Sequence, residues 1–432
     1  MTLTAGTASA QVRLPAVQVP ALPLQTLPQT LGQVQSQSLE QLSERRHLEV
    51  SRLIRANRRV IDSDQNGEPV IRSEVLALSP SDAALDGAKT LGFIIDREQN
   101  IGGMNIRVVI LRAPPQLSAK KALRVLREAD PNGSYDYNHI YSGGGVNSPR
   151  SVTIADSSAP DTPTFLHKED GAARSQAQSP MRIGLLDTGI DTTHAVFRES
   201  NIHAWGCGES AVAAAHGTSV ASLLIGRSAL FHGVQPNAEL YAADVYCGRP
   251  TGGAADALIA ALGWLVQEQV PVINISLVGP RNAALEAVLG SLIRSGYIIV
   301  AAVGNDGPAA PALYPASYPG VIGVTGVDAH RHVLLEAARG PQVTFAAPGA
   351  DVAAASMDHG YASVRGTSFA APFVAALLAA EIATPNAADA AAAIEALAKT
   401  AVDLGSRGRD LTYGLGLVGA EYRIDPAALI RR

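Results

Sequence analysis

Hydrophobic positions in the C-terminal part of the chain form long runs separated by helical stretches. The nearly continuous apolar runs are Met181–Leu186, Leu240–Val245, Val272–Leu277, Ile298–Val303 and Val321–Val327. Runs of this kind, with helical patterns between them, predict parallel strands that are buried on both faces. We therefore predict that residues 181–425 form one α/β domain, a parallel sheet with helices on both faces.

The preceding region follows a different pattern. Its predicted strands and helices are Val70–Leu78, Phe93–Asp96, Asn105–Leu111 and Tyr135–Tyr141 for the strands, and Ser81–Thr90 and Ser118–Ala129 for the helices. This β-α-β-β-α-β order is typical of the ferredoxin-like split arrangement. With the helical pattern at 38–61, it predicts a small α+β domain at 38–142. The arrangement hosts many functions, so it does not indicate one by itself.

Three segments lack a periodic pattern. They are a Pro- and Gln-rich leader at 1–37, a Gly-, Ser- and Pro-rich linker at 143–180 and a tail at 426–432. In the leader, Ala8-Ser9-Ala10 resembles the small-residue site at which a secretory signal peptide is cut, although neither a basic region nor an apolar core precedes it. We expect an exported protein, secreted or periplasmic, whose signal peptide is incomplete in this chain.

The composition of the chain limits the kinds of partner that it can bind. Of 432 residues, 47% are hydrophobic, enough for a large core, and the net charge is −5. No basic run carries interleaved aromatic residues, which argues against a nucleic-acid partner. The longest apolar stretch, Phe369 to Ala380, is broken by Pro372 and is too short for a membrane span.

The two cysteines, Cys207 and Cys247, permit at most one internal disulfide. Two free buried thiols fit the sequence equally well. The histidines and cysteines show no metal-ligand spacing, so we expect no metal and no cofactor, and a metal-dependent hydrolase is disfavoured.

Three short segments carry candidate chemistry. In the first, Leu185 to Asp191, Asp187 follows a buried strand. Alone, this segment also fits a structural turn or the catalytic turn of an aspartic protease. An aspartic protease needs a second such motif or a homodimer of a small β domain, and neither suits an α/β segment.

The other two segments are His216-Gly217-Thr218, at the start of a predicted helix, and Gly366-Thr367-Ser368, which opens a helix predicted to be buried. Amides at a helix N-terminus can stabilise negative charge near the serine oxygen. Separately, Gly304-Asn305-Asp306-Gly307 places an amide side chain in a turn after a buried strand.

Taken together, these segments resemble the motifs of the subtilisin-like serine proteases, family S8. Their order of Asp, His and Ser is the order of that family, whereas α/β-hydrolases run Ser, Asp, His and use a G-x-S-x-G elbow that Ser368 lacks. The resemblance covers residues 181–422, including Tyr314–Pro319, Ala347–Gly349 and Tyr413–Leu417. It implies a subtilisin-like fold and a serine endopeptidase.

The resemblance also assigns roles. Asp187, His216 and Ser368 correspond to the catalytic triad, in which a histidine held by an aspartate activates the serine. Asn305 corresponds to the side-chain donor of the oxyanion hole, with the Ser368 N–H as second donor.

Protein or peptide substrate should bind as an added strand, since Ser276–Pro280 matches the segment that pairs with the peptide backbone. Residues 248–253 would form the opposite rim. The residues that match the pocket for the side chain before the scissile bond are Ser276, Leu277, Val278, Gly279, Ala302, Gly304 and Leu313. None is charged, and Val278 stands where the family usually has glycine. We therefore expect small to medium apolar side chains in this pocket.

Two further expectations follow from the resemblance. The stretch from Gly226 to Gly233 is too short, and too poor in Asn and Asp, for the common calcium loop of the family, so we expect no high-affinity calcium there. The domain at 38–142 resembles a propeptide, which would act as intramolecular chaperone and inhibitor and be cut near Tyr141 or in the linker. A pseudoenzyme kept for binding, blocked by its own N-terminal domain, is the alternative.

Overall fold

The computed structural model describes residues 46–143, the backbone of 145–152, and residues 180–208 and 212–430. The predicted leader, including Ala8-Ser9-Ala10, the first part of the helical pattern at 38–61, most of the linker and the last two residues of the tail lie outside the described residues. No described helix has the length and apolar character that a bilayer crossing requires.

The chain forms nine described helices and seventeen strands. The helices are α1 (46–56), α2 (Asp82–Thr90), α3 (Ala119–Ala129), α4 (Ala215–Ile225), α5 (Ala255–Gln267), α6 (Ala283–Arg294), α7 (Thr367–Ala379), α8 (Ala387–Thr400) and α9 (Pro426–Ile430). The N-terminal strands are β1 (Ile61–Ser63), β2 (Pro69–Leu78), β3 (Ile94–Ile101), β4 (Ile106–Arg112), β5 (Ser134–His139), β6 (Ser142–Gly143) and β7 (Gly145–Val152). The remaining strands are β8 (Arg182–Asp187), β9 (Ile202–Trp205), β10 (Glu239–Asp244), β11 (Val272–Ile275), β12 (Leu277–Val278), β13 (Ile298–Ala302), β14 (Ile322–Val327), β15 (Val343–Pro348), β16 (Ala350–Ala355) and β17 (Tyr361–Gly366).

The C-terminal unit is built on a parallel sheet of seven strands in the order β15-β14-β13-β11-β8-β10-β9. Helices α4 and α7 pack on one face of this sheet, with α8 against α7, and α5 and α6 pack on the other face. All residues of β11 and β13 are buried, as expected for strands covered on both sides. The predicted α/β architecture is confirmed, and β9 and β15 add two strands that the apolar runs did not indicate.

Helix α7 runs through the interior. Twelve of its residues are buried, and its sequence is apolar all round, which is the pattern of a helix surrounded by protein. It packs against α4 and against the central strands β11, β13 and β14. The beginning of α7 is thereby held at the edge of the sheet where the parallel strands end.

The N-terminal unit is a five-stranded sheet in which β1-β2-β4-β3 are neighbours and β5 pairs with β2. Because side chains alternate along a strand, Val75 and Ala77 face α2 and α3, whereas Leu76 faces the other way. Leu76, Val108 and Ile110 join a hydrophobic cluster with α5 and α6. One face of the N-terminal sheet is therefore buried against the two helices of the C-terminal unit.

Some local boundaries differ from the predictions. Strand β3 continues to Ile101 instead of ending at Asp96, because an edge strand can be polar and so shows no apolar period. Ile61 begins β1 instead of ending a helix, and Pro426–Ile430 forms a short helix within the predicted tail. Residues 145–152, in the predicted linker, form β7, which pairs with β17. Ser81 and Ser118, the first residues of the two predicted helices, are the N-caps of α2 and α3.

Candidate active site

Asp187 is the last residue of β8, at the carboxyl end of the parallel sheet, where α/β proteins commonly place their sites. Its side chain is completely buried. The backbone N–H of Thr188 donates a hydrogen bond of 2.7 Å to Oδ1, which fixes the carboxylate as an acceptor.

His216 connects Asp187 to Ser368. It is the second residue of α4, and its Nδ1 lies 2.7 Å from Oδ1 and 2.9 Å from Oδ2 of Asp187. Its Nε2 lies 2.9 Å from Oγ of Ser368. The imidazole ring also packs against Phe369, with ring centres 5.2 Å apart. The structure thus joins the three residues in one chain of hydrogen bonds.

Two opposing effects act on the pKa of His216. Burial disfavours the charged imidazolium and lowers the pKa, while the charge of Asp187 and its hydrogen bond raise it. The net result is a pKa above the ordinary value for histidine. The environment therefore makes the ring a stronger base than an isolated histidine.

Ser368 is the second residue of α7, and its side chain is completely buried in this form of the chain. Its position is set from two sides. The hydroxyl of Ser276 donates to the Ser368 carbonyl at 2.9 Å, and Nδ2 of Asn274 donates to the Ser276 hydroxyl at 2.8 Å. Ser276 therefore supports the backbone of Ser368.

Asn305 follows β13, near the start of α7. The backbone N–H of Thr367 donates to Oδ1 of Asn305 at 3.0 Å, so this oxygen is occupied. Nδ2 of Asn305 is buried and has no partner among the described residues. Buried donors are normally paired, so this unpaired donor, on a side chain that contacts Thr367, is free to bind another group.

The other predicted pocket residues lie along one side of the cleft. Leu277 and Val278 form β12, and Gly279 exchanges two backbone hydrogen bonds with Tyr314. Ala302 is the buried end of β13, and Gly304 packs against the side chain of Leu313. Gly304 has a φ of +101°, which favours glycine there, and its N–H donates to the Thr367 hydroxyl at 3.1 Å.

The cleft holds a segment of the chain itself. Strand β6 pairs with β12 in antiparallel register, with Leu277 opposite Gly143 and Val278 opposite Ser142. A Cβ atom on Gly143 would lie 3.6 Å from Nε2 of His216, so this backbone passes beside the imidazole. Beyond Gly143, strand β7 pairs with β17, and Gly145 lies opposite Gly366. Gly143 therefore lies beside the ring of His216, and Gly145 lies beside the end of the strand that leads into α7.

Two residues of the cleft were not foreseen. Tyr246 donates its hydroxyl to the Tyr141 carbonyl at 2.8 Å, and the Tyr141 N–H donates to the Gly253 carbonyl at 2.8 Å. Gly253 was predicted in the opposite rim, whereas Tyr246 and Tyr314 were missed because only partners that are distant in sequence give them a role. The sequence offered one indication that Tyr246 has a role in the cleft. It is an aromatic residue next to Cys247, just before the predicted rim at 248–253.

Cys207 and Cys247 form a disulfide with an S–S distance of 2.09 Å. Together with Asp244, their side chains form the only described group of metal-ligating type, with ligand atoms within 4.8 Å of one another. The two sulfurs are already bonded to each other. Within this group only the Asp244 carboxylate is left as a potential metal ligand. It accepts hydrogen bonds from the backbone N–H groups of Tyr246 and Cys247 at 2.9 Å each.

The sequence of the chain is similar to those of known proteins. The model of the subtilase family, peptidase S8, matches residues 179–416. The chain is 31% identical to subtilisin DY of Bacillus licheniformis over 249 residues, which is 56% of this chain and 89% of that protein. It is 30% identical to the minor extracellular protease Epr of Bacillus subtilis over 206 residues, 47% of this chain but only 32% of that protein.

The fold is also similar to that of a solved structure. Fervidolysin from Fervidobacterium pennivorans, described as a keratinolytic enzyme related to subtilisin, matches with a TM-score of 0.65 at 18% identity. The match covers 86% of this chain and 62% of that one, so it reaches beyond the segment that the family model matches. The family model covers more than half of the chain, and the fold resembles that of an enzyme related to subtilisin. The chain belongs to the subtilase family and is a subtilisin-like serine protease.

Proposed function

We propose that this protein is a serine endopeptidase that acts through Asp187, His216 and Ser368 and is made as a self-inhibited precursor. The observation that carries the proposal is the continuous chain of hydrogen bonds from the Asp187 carboxylate through His216 to the Ser368 hydroxyl. Serine is a weak nucleophile, and an adjacent base oriented by a third group is what activates it.

In the proposed mechanism, Oγ of Ser368 attacks the carbonyl carbon of the scissile peptide bond while Nε2 of His216 takes its proton. Asp187 holds the ring with Nε2 free to accept and stabilises the imidazolium that forms. The imidazolium then protonates the leaving amine, which departs with the C-terminal part of the substrate. Water hydrolyses the resulting acyl-enzyme by the same route in reverse and restores Ser368.

Negative charge develops on the substrate oxygen during the attack. The unpaired Nδ2 of Asn305 and the N–H of Ser368, in the first turn of α7, are the proposed donors to this oxygen. Because Oδ1 of Asn305 already accepts the Thr367 N–H, the amide is held in one orientation and does not have to rotate when the charge forms. Such a donor stabilises the transition state by about 3–4 kcal/mol.

The side chain before the scissile bond is proposed to be small to medium and apolar. Val278, Ala302, Gly304 and Leu313 bring no charge to this side of the cleft, and Leu313 fills the space beside Gly304. A peptide-library digest with a clear preference for Arg or Lys at this position would contradict this part of the proposal.

The N-terminal unit is proposed to act as the inhibitor. It delivers β6 to the cleft and is anchored by polar contacts to the first turns of two helices. The N–H of Asp256, in α5, donates to Oδ1 of Asn138 at 3.1 Å, and the N–H of Ala283, in α6, donates to Oδ2 of Asp136 at 2.7 Å. Polar side chains of the inhibitor thereby serve as helix caps for the protease.

The chain after β6 also stays on the protease, because β7 pairs with β17 along Tyr361–Gly366, the strand that leads into α7. We propose that the precursor cuts itself between Gly143 and Gly145. The new N-terminus would then still hold β7 on the protease, so full opening of the cleft requires a second cut beyond residue 152.

Export is proposed for the site of action. Disulfides persist in oxidising compartments, and the structure contains the Cys207–Cys247 bridge. The relative Epr is named an extracellular protease. Secreted or periplasmic location fits both observations.

The test uses the full-length protein and its Ser368→Ala variant side by side, followed by intact mass and by labelling with a fluorophosphonate. Wild type should be cut between Gly143 and Gly145, cut again beyond residue 152, and labelled as the second cut proceeds. The variant should stay whole and unlabelled. If wild type is neither cut nor labelled, the cleft is permanently blocked and the alternative of a binding module replaces the protease proposal.

A further inference from the structure

Cys207, Cys247 and Asp244 lie together at the carboxyl ends of two neighbouring strands. Asp244 is the last residue of β10, Cys247 follows it in the next turn, and Cys207 follows β9, which pairs with β10. One ligand atom from each of the three side chains lies within 4.8 Å of the other two. Because the two cysteines are 40 positions apart in the sequence, no spacing motif marks this group.

The Asp244 carboxylate has one oxygen that is buried and unpaired. The residue is only 6% exposed. Its Oδ1 accepts the N–H groups of Tyr246 and Cys247, whereas Oδ2 has no hydrogen-bond partner among the described residues. A buried charge is costly unless a counter-charge or hydrogen bonds compensate it. A cation beside Oδ2 would supply this compensation.

Both sulfur atoms lie close to Asp244. Each Sγ is 3.6 Å from the backbone carbonyl oxygen of Asp244, and the Cα atoms of the two cysteines are 5.2 Å apart. In the oxidised chain the sulfurs are bonded to each other, so they are not available as ligands. Before that bond forms, both residues are thiols, and a thiol loses its proton when it binds a metal. The reduced chain therefore brings two thiolates and one carboxylate together.

We propose that Cys207, Cys247 and Asp244 bind one zinc ion in the chain before its disulfide forms, and that disulfide formation releases the ion. Zinc accepts thiolate and carboxylate ligands, whereas Ca²⁺ and Mg²⁺ take oxygen ligands. Three protein ligands leave one position of a tetrahedral site for water, and both cysteines are partly exposed to solvent. The two thiolates, the carboxylate and Zn²⁺ together carry one negative charge, the same as Asp244 beside the disulfide.

The exchange of zinc for the disulfide is balanced in atoms and electrons. In the zinc form each thiol has released one proton and each sulfur forms one bond to zinc. Oxidation by a small disulfide breaks the two Zn–S bonds and forms the bond between Cys207 and Cys247. The oxidant takes up two electrons and becomes two thiolates, and Zn²⁺ leaves. The turn after β10 is thus tied to the end of β9 first by the ion and then by the disulfide.

The experiment uses the full-length chain with Ser368→Ala, which stays whole, in its oxidised form and after reduction with a phosphine. Co²⁺ is the probe, since cobalt bound to thiolates has a charge-transfer band in the near ultraviolet. The reduced chain should show this band, and Zn²⁺ should abolish it by displacing the cobalt. The oxidised chain keeps every histidine and carboxylate but has no thiol, so it should show no band.

Two variants in the same background test the carboxylate. Asp244→Asn keeps an oxygen for the N–H groups of Tyr246 and Cys247 but removes the charge, so it should weaken zinc binding to the reduced chain at least about tenfold. The matched control is Asp86→Asn, because Asp86 is an exposed acid that pairs with Lys89, and it should bind zinc without change. Zinc should also raise the melting temperature of the reduced chain and leave that of the oxidised chain unchanged.

Three outcomes would overturn the inference. If the reduced chain shows no thiolate band with Co²⁺, the site does not exist. If Asp244→Asn binds zinc as tightly as Asp86→Asn, the carboxylate is not a ligand and the site of three residues is wrong. If zinc raises the melting temperature of the oxidised chain equally, the ion binds elsewhere. The comparison of reduced and oxidised chains decides the matter even if Asp244→Asn does not fold, and none of these results bears on the proposed function.

Discussion

The backbone N–H of Thr367, the residue before Ser368, donates to Oδ1 of Asn305, and this one contact engages the oxygen end of the amide. The free Nδ2 is buried and has no partner among the described residues. Asn305→Ala should lower kcat by about 10²–10³-fold with little change in KM, because the donor acts on charge that exists only in the transition state.

The matched control for Asn305 is Asn201→Ala, since Asn201 is an exposed residue whose amide pairs with Glu239. It should leave kcat unchanged. Steady-state kinetics on the peptide of residues 138–150 provides the measurement. A loss of activity in Asn305→Ala that lies entirely in KM would mean that the side chain binds substrate and does not stabilise the oxyanion.

The raised pKa of His216 gives a pH dependence with a defined sign. The ring must be neutral to accept the proton of Ser368, so activity is lost as pH falls through the pKa of His216. Burial lowers this pKa and Asp187 raises it further than burial lowers it, so the midpoint should lie above the ordinary value of about 6.5. The rate of fluorophosphonate labelling of the self-processed protein against pH measures the midpoint.

Asp187→Asn removes the charge that raises the pKa and leaves burial, which lowers it. Turnover should fall by about 10⁴-fold. In the Ser368→Ala background, where the chain stays whole, the titration of His216 followed by NMR should move to lower pH when Asp187→Asn is added. An unchanged midpoint would show that Asp187 does not control the charge state of the ring.

The contacts that cap α5 and α6 predict how tightly the N-terminal unit is held. Loss of a capping side chain costs about 0.5–2 kcal/mol. Asn138→Ala or Asp136→Ala should therefore weaken inhibition by about 2- to 30-fold and shorten the lag before labelling. Asp86→Ala is the control, because Asp86 is exposed on α2 and pairs with Lys89. Equal lags in all three variants would contradict the proposed anchoring.

Sequence patterns predicted the structure best where it depends on residues that are neighbours in the chain. Five central strands were recognisable because strands buried on both faces read as unbroken apolar runs. The segments with Asp187, His216 and Ser368 were recognisable from short motifs in a characteristic order, and the structure brings these residues together. Both kinds of signal lie within a few neighbouring positions.

What could not be predicted depends on distant partners. Strand β7 carries Ser and Pro residues and forms because β17 offers an edge for pairing, and such an edge has no mark in the sequence of β7. The hydrogen bond from the Ser276 hydroxyl to the Ser368 carbonyl joins residues 92 positions apart, so no local pattern marks it. Tyr141 was predicted to lie near the cut, but no local pattern marks the packing of its side chain against Gly279.

The disulfide between Cys207 and Cys247 is expected to stabilise the rim of the cleft as well as the fold. It ties the end of β9 to the turn after β10, and this turn leads through Tyr246 to Gly253, the two residues that hold the backbone of Tyr141. Closing a loop of this length stabilises a protein by about 3–4 kcal/mol on the chain-entropy account.

Cys207→Ser with Cys247→Ser should therefore lower the melting temperature of the full chain, measured in the Ser368→Ala background so that self-digestion does not interfere. In the active background the double variant should also raise KM for the peptide of residues 138–150, because the rim is less ordered before binding. Reduction of the wild type with a thiol should reproduce both effects and leave the double variant unchanged. If the double variant has a lower melting temperature but the KM of the wild type, the disulfide stabilises the fold only. A rim that is ordered by the disulfide would bind the peptide more weakly without it, and KM would rise.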